Sequence, residues 1–548
     1  MTTGAVPTRA PGKPIDALLA TLDPEQRAAA TLPDGPAQII APAGSGKTTT
    51  MIARVAVLLD RGVPPDRICL VTFNRAAAGE LGERVSRRLG SVAVEVRTLH
   101  ALARQVLLDA GAPASVVADR LPLLRAARRR HLGGADPDPP EAGELDTMLS
   151  ARKIEGRVPT DGIRPILDTY EALLRARGAI DFDDLVVGAS DLLQTDARLR
   201  HRWQARFAHL CVDEFQDVDA AQLRLVRLLA APEDNLYVVG DDDQTIYAWR
   251  LADVRRILGF GRHYPNAHRV MLATNYRCPP AVVTASARLV AVNREHFAKP
   301  IRAPATAPRL AGTLTAMSTA GDDWPGELAR LARNADAAGH SFCVLARTRS
   351  ELMPVTMALV RLGVRHAAAA DPLVEAKPVV DLVDAIRASA DPRHPFHALR
   401  DQRLARGWLR GQPAGDLLTD DEQVALDALL GWAAAFPTVD GFVRAFGAAR
   451  RRIDALRDPS ASVELATVHA AKGREWETVV LLGFEADRIP NRRSILEASD
   501  PSRAVEEERR LAYVALTRAT RQLILAFDPA RPSPFLAEMG FSPAVPSS

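Results

Sequence analysis

Two acidic residues that follow an apolar run, and an amide that follows a later one, are the side chains best suited to chemistry in this sequence. Asp213 and Glu214 come directly after the apolar residues 210–212, within the sequence VDEFQD. A buried parallel strand ends in this way when it presents carboxylates to a metal-bound phosphate. Gln244 follows a second strand-like run, 236–239, and a turn at Gly240. The pattern indicates phosphate chemistry at the ends of strands.

Aromatic and cationic residues follow Gln244 at once, in the sequence QTIYAWR. Tyr247 and Trp249 offer rings on which nucleic-acid bases stack, and Arg250 adds a cation beside them. A buried core position is the alternative for Trp249, but it leaves the YxWR spacing unexplained. The segment therefore suggests nucleotide chemistry that is coupled to nucleic-acid binding.

A glycine-rich turn stands between a strand-like run and a helix-like run in AQIIAPAGSGKTTT, residues 37–50. Ala41 occupies the first glycine position of the GxxxxGK[ST] pattern, whereas Gly44–Ser45–Gly46–Lys47–Thr48 is intact. Glycines let backbone N–H groups close around phosphates, Lys47 reaches the β and γ oxygens, and the Thr48 hydroxyl ligates Mg²⁺. The predicted nucleotide-binding segment comprises Ala41, Pro42, Ala43, Gly44, Ser45, Gly46, Lys47, Thr48 and Thr49.

The acidic pair and two distant arginines gain definite roles beside such a loop. Asp213 would hold Mg²⁺ through water, and Glu214 would activate the attacking water as a general base. Phosphoryl transfer also needs cations on the developing charge, often supplied by a facing domain. Arg277 in TNYRCPP and Arg518 in AYVALTRAT are the candidates, although each taken alone is more typical of a surface arginine.

The elements that would position these residues alternate between strand-like and helical patterns. Apolar runs at 37–40, 68–73 and 92–99 with helices between them predict a parallel sheet, which resumes at 206–274. A second α/β block has strand-like runs at 342–347, 463–468 and 478–484. The predicted boundaries are a disordered segment 1–14; a first sheet domain, 15–104 and 201–274, with a helical insertion at 105–200; a second, 275–375 and 460–535, with a short insertion at 376–459; and a tail at 536–548.

Bulk properties fit a multidomain protein of the reduced cytoplasm. A chain of 548 residues exceeds a single core, and 47% apolar with 25% charged residues is typical of soluble globular proteins. The net charge of +3 means that nucleic acid would be held by local patches. The four cysteines lack paired spacing, which argues against disulfides, zinc and iron–sulfur clusters, and Cys69 and Cys211 are expected in the core. Neither a secretory signal nor a membrane span is predicted.

Eight motifs follow one another along the chain: LDPEQRAAA, APAGSGKT, TFNRAAAGEL, VDEFQD, VGDDDQTIYAWR, NYRCPP, TVHAAKGREWETVVLLG and EEERRLAYVALTRA. In content and order they resemble the motifs of superfamily 1 helicases, most of all the UvrD/Rep/PcrA group, over about residues 20–530. The resemblance implies an α/β fold with two RecA-like P-loop NTPase domains. Each would have a parallel sheet and be interrupted by a helical insertion, and ATP and Mg²⁺ would be the cofactors.

The resemblance also assigns further residues to the nucleotide. It implies that Gln26 reads adenine and that Tyr276 stacks on the base. Gln244 corresponds to the γ-phosphate sensor, and Arg277 and Arg518 correspond to two arginine fingers. Gly473 and Glu475, in GREWE, are implied at the nucleotide, with the Glu475 carboxylate near the ribose.

For the nucleic acid, the resemblance implies two groups of residues. Phe73, Tyr247, Trp249 and Arg250 match positions that stack on or support bases of a single strand. Four more match positions that contact its backbone: Thr98, His100, Thr467 and His469. A structural role is the alternative for either histidine.

Several positions depart from the pattern of the group. Thr49 stands where an arginine often follows the P-loop threonine, and TFNRAAAGEL differs from the commoner TFTNKAA form. Arg474 replaces a usual leucine beside Glu475. The second insertion, 376–459, is shorter than in full-length UvrD-type enzymes.

The expected function is an ATP-dependent DNA helicase that moves 3′→5′ on single-stranded DNA and unwinds tailed duplex, in repair or recombination. The polarity and the substrate are implied by the resemblance alone. One alternative is a single-strand translocase that needs a protein partner to unwind, because the second insertion is short. Another is a non-catalytic binding module on a decayed helicase fold, and RNA also stays open as a substrate.

Overall fold

The computed structural model describes residues 13–90, 92–131, 140, 142–305, 312–321, 323–369, 372–389, 393–409, 412, 414 and 418–542. They form two compact units. The first takes its described residues from Met1–Pro139, Gly143–Tyr276 and Glu295–Ile301, and the second from Pro140–Ala142, Arg277–Arg294 and Arg302–Ser548. Residues 1–12 of the segment predicted to be disordered, and residues 543–548 of the predicted tail, lie outside the described part.

The first unit contains one parallel sheet of six strands in the order β3-β2-β4-β5-β1-β6. The strands are β1 Ala37–Ile40, β2 Ile68–Thr72, β3 Glu95–Thr98, β4 His209–Val212, β5 Leu236–Gly240 and β6 His268–Met271. The helices are α1 Lys13–Ala20, α2 Pro24–Ala30, α3 Lys47–Asp60, α4 Arg75–Leu89, α5 Leu99–Asp109, α6 Leu121–His131, α7 Ala142–Glu155, α8 Arg164–Arg175, α9 Phe182–Thr195, α10 Ala197–Arg206, α11 Ala220–Ala230, α12 Val254–Leu258 and α13 Phe260–His263.

The four inner strands, β1, β2, β4 and β5, are buried on both faces, which explains why they are mostly apolar. The edge strands β3 and β6 are only partly buried and carry charged residues. Successive strand residues point to opposite faces. In β4, Leu210 and Val212 join a core cluster with residues of α5, α9 and α11, while Cys211 joins a second cluster with residues of α3 and α4. Cys69 and Cys211 are fully buried and free, so their predicted core positions are confirmed.

The second unit contains another parallel sheet of six strands, in the order β7-β12-β11-β8-β10-β9. The strands are β7 Thr313–Ser318, β8 Phe342–Ala346, β9 Ala367–Ala368, β10 Val463–Thr467, β11 Trp476–Leu482 and β12 Ala519–Phe527. The helices are α14 Pro280–Val290, α15 Trp324–Ala337, α16 Met353–Leu362, α17 Pro372–Glu375, α18 Lys377–Ser389, α19 Pro395–Ala405, α20 Asp420–Ala433, α21 Val439–Leu456, α22 Arg492–Glu497, α23 Pro501–Leu516 and α24 Phe535–Glu538.

Each sheet is interrupted by helices. Helices α5–α10 occupy the chain between β3 and β4, and α17–α21 occupy it between β9 and β10. The second set has a core of its own, which includes Leu382, Leu426 and Phe442. The predicted α/β class, with two parallel sheets that each carry a helical insertion, is confirmed. Among the helices that the structure describes, none combines the length and the apolar character needed to cross a bilayer.

Candidate functional site

The glycine-rich turn links β1 to α3 at one end of the first sheet. Gly44 and Gly46 have φ values of 70° and 82°, in the left-handed region that favours glycine. The Ala41 N–H donates to the Gly240 carbonyl at 2.8 Å, which fixes the turn to β5. Helix α3 begins at Lys47, whose Nζ lies 3.3 Å from the Ala41 carbonyl oxygen. The turn therefore presents a helix N-terminus and a lysine in one place.

Polar groups at this turn fit a bound triphosphate. The Ser45 hydroxyl is buried, and no described residue bonds to it. A helix N-terminus with free N–H groups attracts anions. The loop conformation, the lysine and the unpartnered hydroxyl together match the phosphate groups of a nucleotide. Thr48, in the first turn of α3, offers a hydroxyl of the kind that ligates Mg²⁺.

Gln26 and Tyr276 are held against this turn by hydrogen bonds. Helix α2 begins with a capping box between Asp23 and Gln26, and the Gln26 amide donates to the Ser45 carbonyl at 2.9 Å. A Cβ at Gly46 would lie 2.6 Å from the same amide nitrogen, so this approach requires glycine. The Tyr276 N–H donates to the Gly44 carbonyl at 2.8 Å, and the Tyr276 hydroxyl to Asp23 at 2.7 Å. The two residues assigned to adenine thus lie at the P-loop.

Asp213 and Glu214 follow β4, two strands from β1 in the same sheet. The Asp213 N–H donates to the Val71 carbonyl at 2.8 Å, and the Asp213 carboxylate accepts the Glu214 N–H at 3.0 Å. Glu214 has a φ of 51°, a conformation that is uncommon for a residue other than glycine. Such strain clusters at functional sites, where the surrounding structure enforces it.

Asp241 joins Glu214 and Gln244 into one hydrogen-bonded network. The fully buried Gln216 donates from its amide to Glu214, and its amide oxygen accepts the Asp241 N–H at 3.0 Å. The Asp241 carboxylate accepts the Gln244 amide at 2.7 Å. Gln244 is only 3% exposed, so in this structure its amide faces Asp241. Sequence reasoning missed both Gln216 and Asp241, although three aspartates after a buried strand signal the need for a cation.

That cation is Lys299, from the segment Glu295–Ile301 of the first unit. Its Nζ lies 2.7 Å from Asp241 and 2.9 Å from Asp243 and also contacts Asp242, and all four side chains are buried. Burial raises the pKa of Asp243 to about 7; Lys299 opposes this effect, and Asp242 and Asp241 add to it. Burial would also raise the pKa of Asp241, but Lys299 and Lys47 hold it below its ordinary value. We call these four residues the Lys299 cluster.

The aromatic residues that follow Gln244 form a continuous stack with Phe73. The Phe73 and Tyr247 rings are 5.1 Å apart and nearly parallel, and Trp249 meets Tyr247 edge-on at 6.2 Å. The Arg250 guanidinium lies 5.2 Å from the centre of the Trp249 ring. Trp249 is 57% exposed, which excludes the core alternative. Burial raises the pKa of Tyr247 to about 12, with contributions from Asp217 and Glu214. The stack thus lies close to the catalytic candidate Glu214.

His100 lies beside this region together with an aromatic that the sequence analysis missed. Phe182, at the start of α9, meets the His100 ring edge-on at 5.6 Å and is 40% exposed. Burial lowers the pKa of His100, so its ring is neutral near pH 7. A small cavity is lined by Phe73, His100, Asp213 and Glu214. Thr98 caps α5, because its hydroxyl accepts the Ala101 N–H at 3.2 Å. An exposed aromatic within the acidic sequence DFDDL was the available signal for Phe182.

The second unit brings Arg277, Glu475 and Arg518 together. Arg277 Nε lies 2.6 Å from Glu475, and its Nη1 donates to the Thr517 carbonyl at 3.4 Å. Arg518 is 1% exposed, and its guanidinium donates to the carbonyls of Val514 at 2.8 Å and Arg474 at 3.2 Å. Arg277 is therefore the more accessible of the two arginines in this structure.

The remaining candidates of the second unit lie just beyond β10. Thr467 ends the strand, and His469 follows it; both are half-buried. Gly473 has a φ of 84°, which suits the turn that leads into β11. Arg474 pairs with Glu464 and stacks on the Trp476 ring at 4.9 Å. The unusual arginine thus has local partners on the sheet.

Comparison with known proteins gives two matching family profiles and several curated relatives. The profile described as the UvrD/REP helicase N-terminal domain matches residues 22–131 and 143–265, and the UvrD-like helicase C-terminal domain matches residues 449–528. The protein named ATP-dependent DNA helicase UvrD2 from Mycobacterium tuberculosis (strain ATCC 25618 / H37Rv) is 31% identical over 585 residues, which cover 93% of this chain and 79% of that protein. ATP-dependent DNA helicase PcrA from Leuconostoc citreum is 27% identical over 623 residues, covering 93% and 82%.

These matches run through both sheets, and they include the P-loop turn, the acidic strand end and the aromatic stack described above. The relatives extend over nearly all of the chain. The chain belongs to the UvrD/PcrA-type family of superfamily 1 helicases.

Proposed function

We propose that this protein is an ATP-dependent DNA motor that moves 3′→5′ on single-stranded DNA and unwinds tailed duplexes. The observation that carries the proposal is the network from Glu214 through Gln216 and Asp241 to Gln244, which stands next to the stack of Phe73, Tyr247 and Trp249. A change at the phosphate end of this network is thereby linked to a change in the grip on bases. The names of the relatives UvrD2 and PcrA, both ATP-dependent DNA helicases, support it.

We assign the nucleotide role to the following residues. When bound, ATP would supply the phosphoryl group, and Mg²⁺ would supply positive charge that neutralises the phosphate oxygens. The backbone of residues 41–46, with Lys47, would hold the phosphates, Thr48 and Asp213 the metal, and Gln26 and Tyr276 the base. Glu214 would accept the proton of the attacking water, and Gln244 would report the γ-phosphate. In the second unit, the resemblance to the group assigns Arg277, Arg518, Gly473 and Glu475 to the nucleotide.

The DNA role rests on stacking, which tolerates any base sequence. Phe73, Tyr247, Trp249 and Arg250 would hold bases, and Phe182 would add a further ring beside His100. Thr98, His100, Thr467 and His469 would contact the strand backbone. Such contacts suit a motor that steps along any sequence.

We expect replacement of Trp249 by alanine to weaken binding of single-stranded DNA by about 1–3 kcal/mol, because base stacking on aromatic rings is worth that amount. Fluorescence anisotropy with a labelled oligothymidylate measures the change. Leu496→Ala is the control variant, because Leu496 on α22 is also a large apolar residue and is 70% exposed. Trp432 is not a suitable control, because it packs against the core of the helices of the second insertion. Unchanged affinity in the Trp249→Ala protein would remove this residue from the DNA site.

The motor itself is tested by ATP hydrolysis with and without single-stranded DNA, followed by strand displacement on duplexes with 3′ or 5′ tails. We expect stimulated hydrolysis and displacement of the 3′-tailed duplex only. Displacement from 5′ tails would contradict the polarity, and a preference for RNA substrates would contradict the DNA assignment. A rate of ATP hydrolysis that stays the same when nucleic acid is added would contradict the assignment as a motor.

A translocase that needs a protein partner to unwind is the second candidate. The small second insertion favours it, since α17–α21 span only residues 372–456. Displacement of streptavidin from a biotinylated single strand reports translocation without unwinding. If this activity occurs while the tailed duplex stays intact, the translocase is the better description. A partner that restores unwinding would then be sought.

A further inference from the structure

The segment Glu295–Ile301 is a short piece of chain that belongs to the first unit, although the residues before and after it belong to the second. Its backbone runs along the surface, since Ala298 and Pro300 are exposed. The Lys299 side chain, by contrast, is 1% exposed and reaches the three buried carboxylates of the Lys299 cluster. One lysine thus extends from a surface segment to the buried loop that follows β5.

Contacts other than those of Lys299 also hold this segment on the first sheet. The Phe297 N–H donates to the Asp242 carboxylate at 2.7 Å. The Arg269 guanidinium of β6 lies 5.0 Å from the centre of the Phe297 ring, and Arg269 Nε donates to the Gln38 amide oxygen of β1 at 2.9 Å. The segment is therefore attached at Phe297 as well, and attachment alone does not explain the buried charge of Lys299.

A buried group of one lysine and three carboxylates is weak evidence for a purely stabilising role. The cost of removing these charges from water offsets much of their mutual attraction, and well-packed apolar side chains often stabilise such a space equally well. Loss of one member is harmful mainly because the others then stay buried without a partner. The cluster is better explained by a task that needs an oriented charge.

The Asp241 carboxylate connects Lys299 to Gln244 through its two oxygens. Its Oδ1 lies 2.7 Å from Lys299 Nζ and also accepts the Asp243 N–H at 3.3 Å. Its Oδ2 accepts the Gln244 amide at 2.7 Å. Because Oδ1 is held in place, Oδ2 faces Gln244. Hydrogen bonds to ionised acceptors are about twice as strong as those between neutral groups, so a cation that keeps Asp241 ionised also strengthens its bond to Gln244.

We propose that Lys299 is a positioning residue for the γ-phosphate sensor: Lys299 orients the Asp241 carboxylate, and Asp241 orients the Gln244 amide. The inference rests on the proposed function, in which Gln244 reports the γ-phosphate. Tyr247 of the aromatic stack follows Gln244 by three positions, so the same short loop serves the nucleotide and the DNA. Lys299 thus influences DNA-stimulated hydrolysis through Gln244 and not by contact with ATP.

The test is a double-mutant cycle that combines Lys299→Met with Gln244→Ala and measures the kcat of ATP hydrolysis at saturating oligothymidylate. The cycle is repeated in an Asp242→Asn/Asp243→Asn background, which removes two of the buried charges and so limits the loss of stability. Lys153→Met is the matched control, because the Lys153 side chain is also buried and contacts three carboxylates, in the first helical insertion. Circular dichroism at the assay temperature verifies that each variant is folded.

We expect Lys299→Met to lower this kcat by about 10–10²-fold with little change in the KM for ATP, because a catalytic group displaced by about 1 Å loses rate on that scale. The double variant should be no slower than Gln244→Ala alone, since residues that act as a unit are not additive. Lys153→Met should lose stability but keep its kcat.

Two results would overturn the proposal in a protein whose hydrolysis responds to DNA. If the losses from Lys299→Met and Gln244→Ala multiply in both backgrounds, Lys299 does not act through Gln244. If Lys299→Met keeps the wild-type kcat, it positions nothing that the reaction needs. A wild-type rate that does not respond to DNA would instead contradict the proposed motor, so the two failures are distinguishable.

Discussion

Replacement of Lys47 by alanine is expected to lower the kcat of DNA-stimulated ATP hydrolysis by about 10²–10³-fold. Removal of one preorganised group that stabilises charge in the transition state typically has an effect of this size. Lys47 begins α3, and its Nζ lies 3.3 Å from the Ala41 carbonyl, at the mouth of the P-loop turn. It takes no part in either core cluster of the first sheet. The variant should therefore fold normally.

Two further measurements separate a catalytic loss from a folding defect. Affinity for oligothymidylate should stay near the wild-type value in Lys47→Ala, because the stack of Phe73, Tyr247 and Trp249 does not include this residue. The same substitution at Lys377, whose side chain is 82% exposed on α18, provides the matched control and should keep full turnover. If Lys47→Ala retained DNA-stimulated hydrolysis, the assignment of this turn to ATP would be wrong.

Replacement of Lys299 by methionine is expected to cost about 3–5 kcal/mol in the free energy of unfolding, because it leaves buried carboxylates without their cation. Lys299 contacts Asp241, Asp242 and Asp243, and each of these side chains is fully buried. Urea denaturation followed by circular dichroism measures the change. The same substitution at the exposed Lys377 should stay within about 0.5 kcal/mol of wild type.

The loss should also depend on pH, and the raised pKa of Asp243 fixes the sign. A carboxyl whose folded pKa exceeds its unfolded value contributes stability at low pH that disappears as the pH rises through the folded pKa. In Lys299→Met the three carboxyls lose the cation that opposed the rise in their pKa values. The free energy of unfolding of the variant should therefore be closest to the wild-type value near pH 5 and furthest below it near pH 8. Asp243→Asn in the same background should restore part of the stability. Equal stability of Lys299→Met and wild type at both pH values would show that the cluster contributes nothing.

Much of the first unit's site could be predicted because its signals are local. A strand followed by glycines and Lys47, and a strand followed by Asp213 and Glu214, each define a turn within a few residues. The Tyr247 and Trp249 spacing likewise defines an aromatic pair, of which Trp249 is exposed and Tyr247 half-buried. The α/β class followed from the same alternation of strands and helices. These parts of the site could therefore be predicted without knowledge of which strands are neighbours in the sheet.

The missed residues depend on contacts between distant parts of the chain. Lys299 reaches Asp241 across 58 positions, and Gln216 reaches the Asp241 N–H across 25. The Gln216 contact exists because β4 lies beside β5, an order that no single segment specifies. Side-chain direction was equally hidden, since the Gln244 amide is bonded to Asp241 and Arg518 to backbone carbonyls. Sequence patterns identified these two residue types but not where their polar groups point.

The second insertion leaves and rejoins its sheet at adjacent points. His366 and Arg457 form a parallel bridge, in which the His366 N–H donates to the Leu456 carbonyl and the Asp458 N–H to the His366 carbonyl, each at 3.0 Å. The Arg457–Glu375 ion pair also joins the beginning of the insertion to its end. A segment with neighbouring ends can change in length without displacing the strands that flank it, as in tolerated domain insertions. The helical insertion can therefore be replaced as a unit, by evolution or by protein engineering, without a change in the six-stranded sheet.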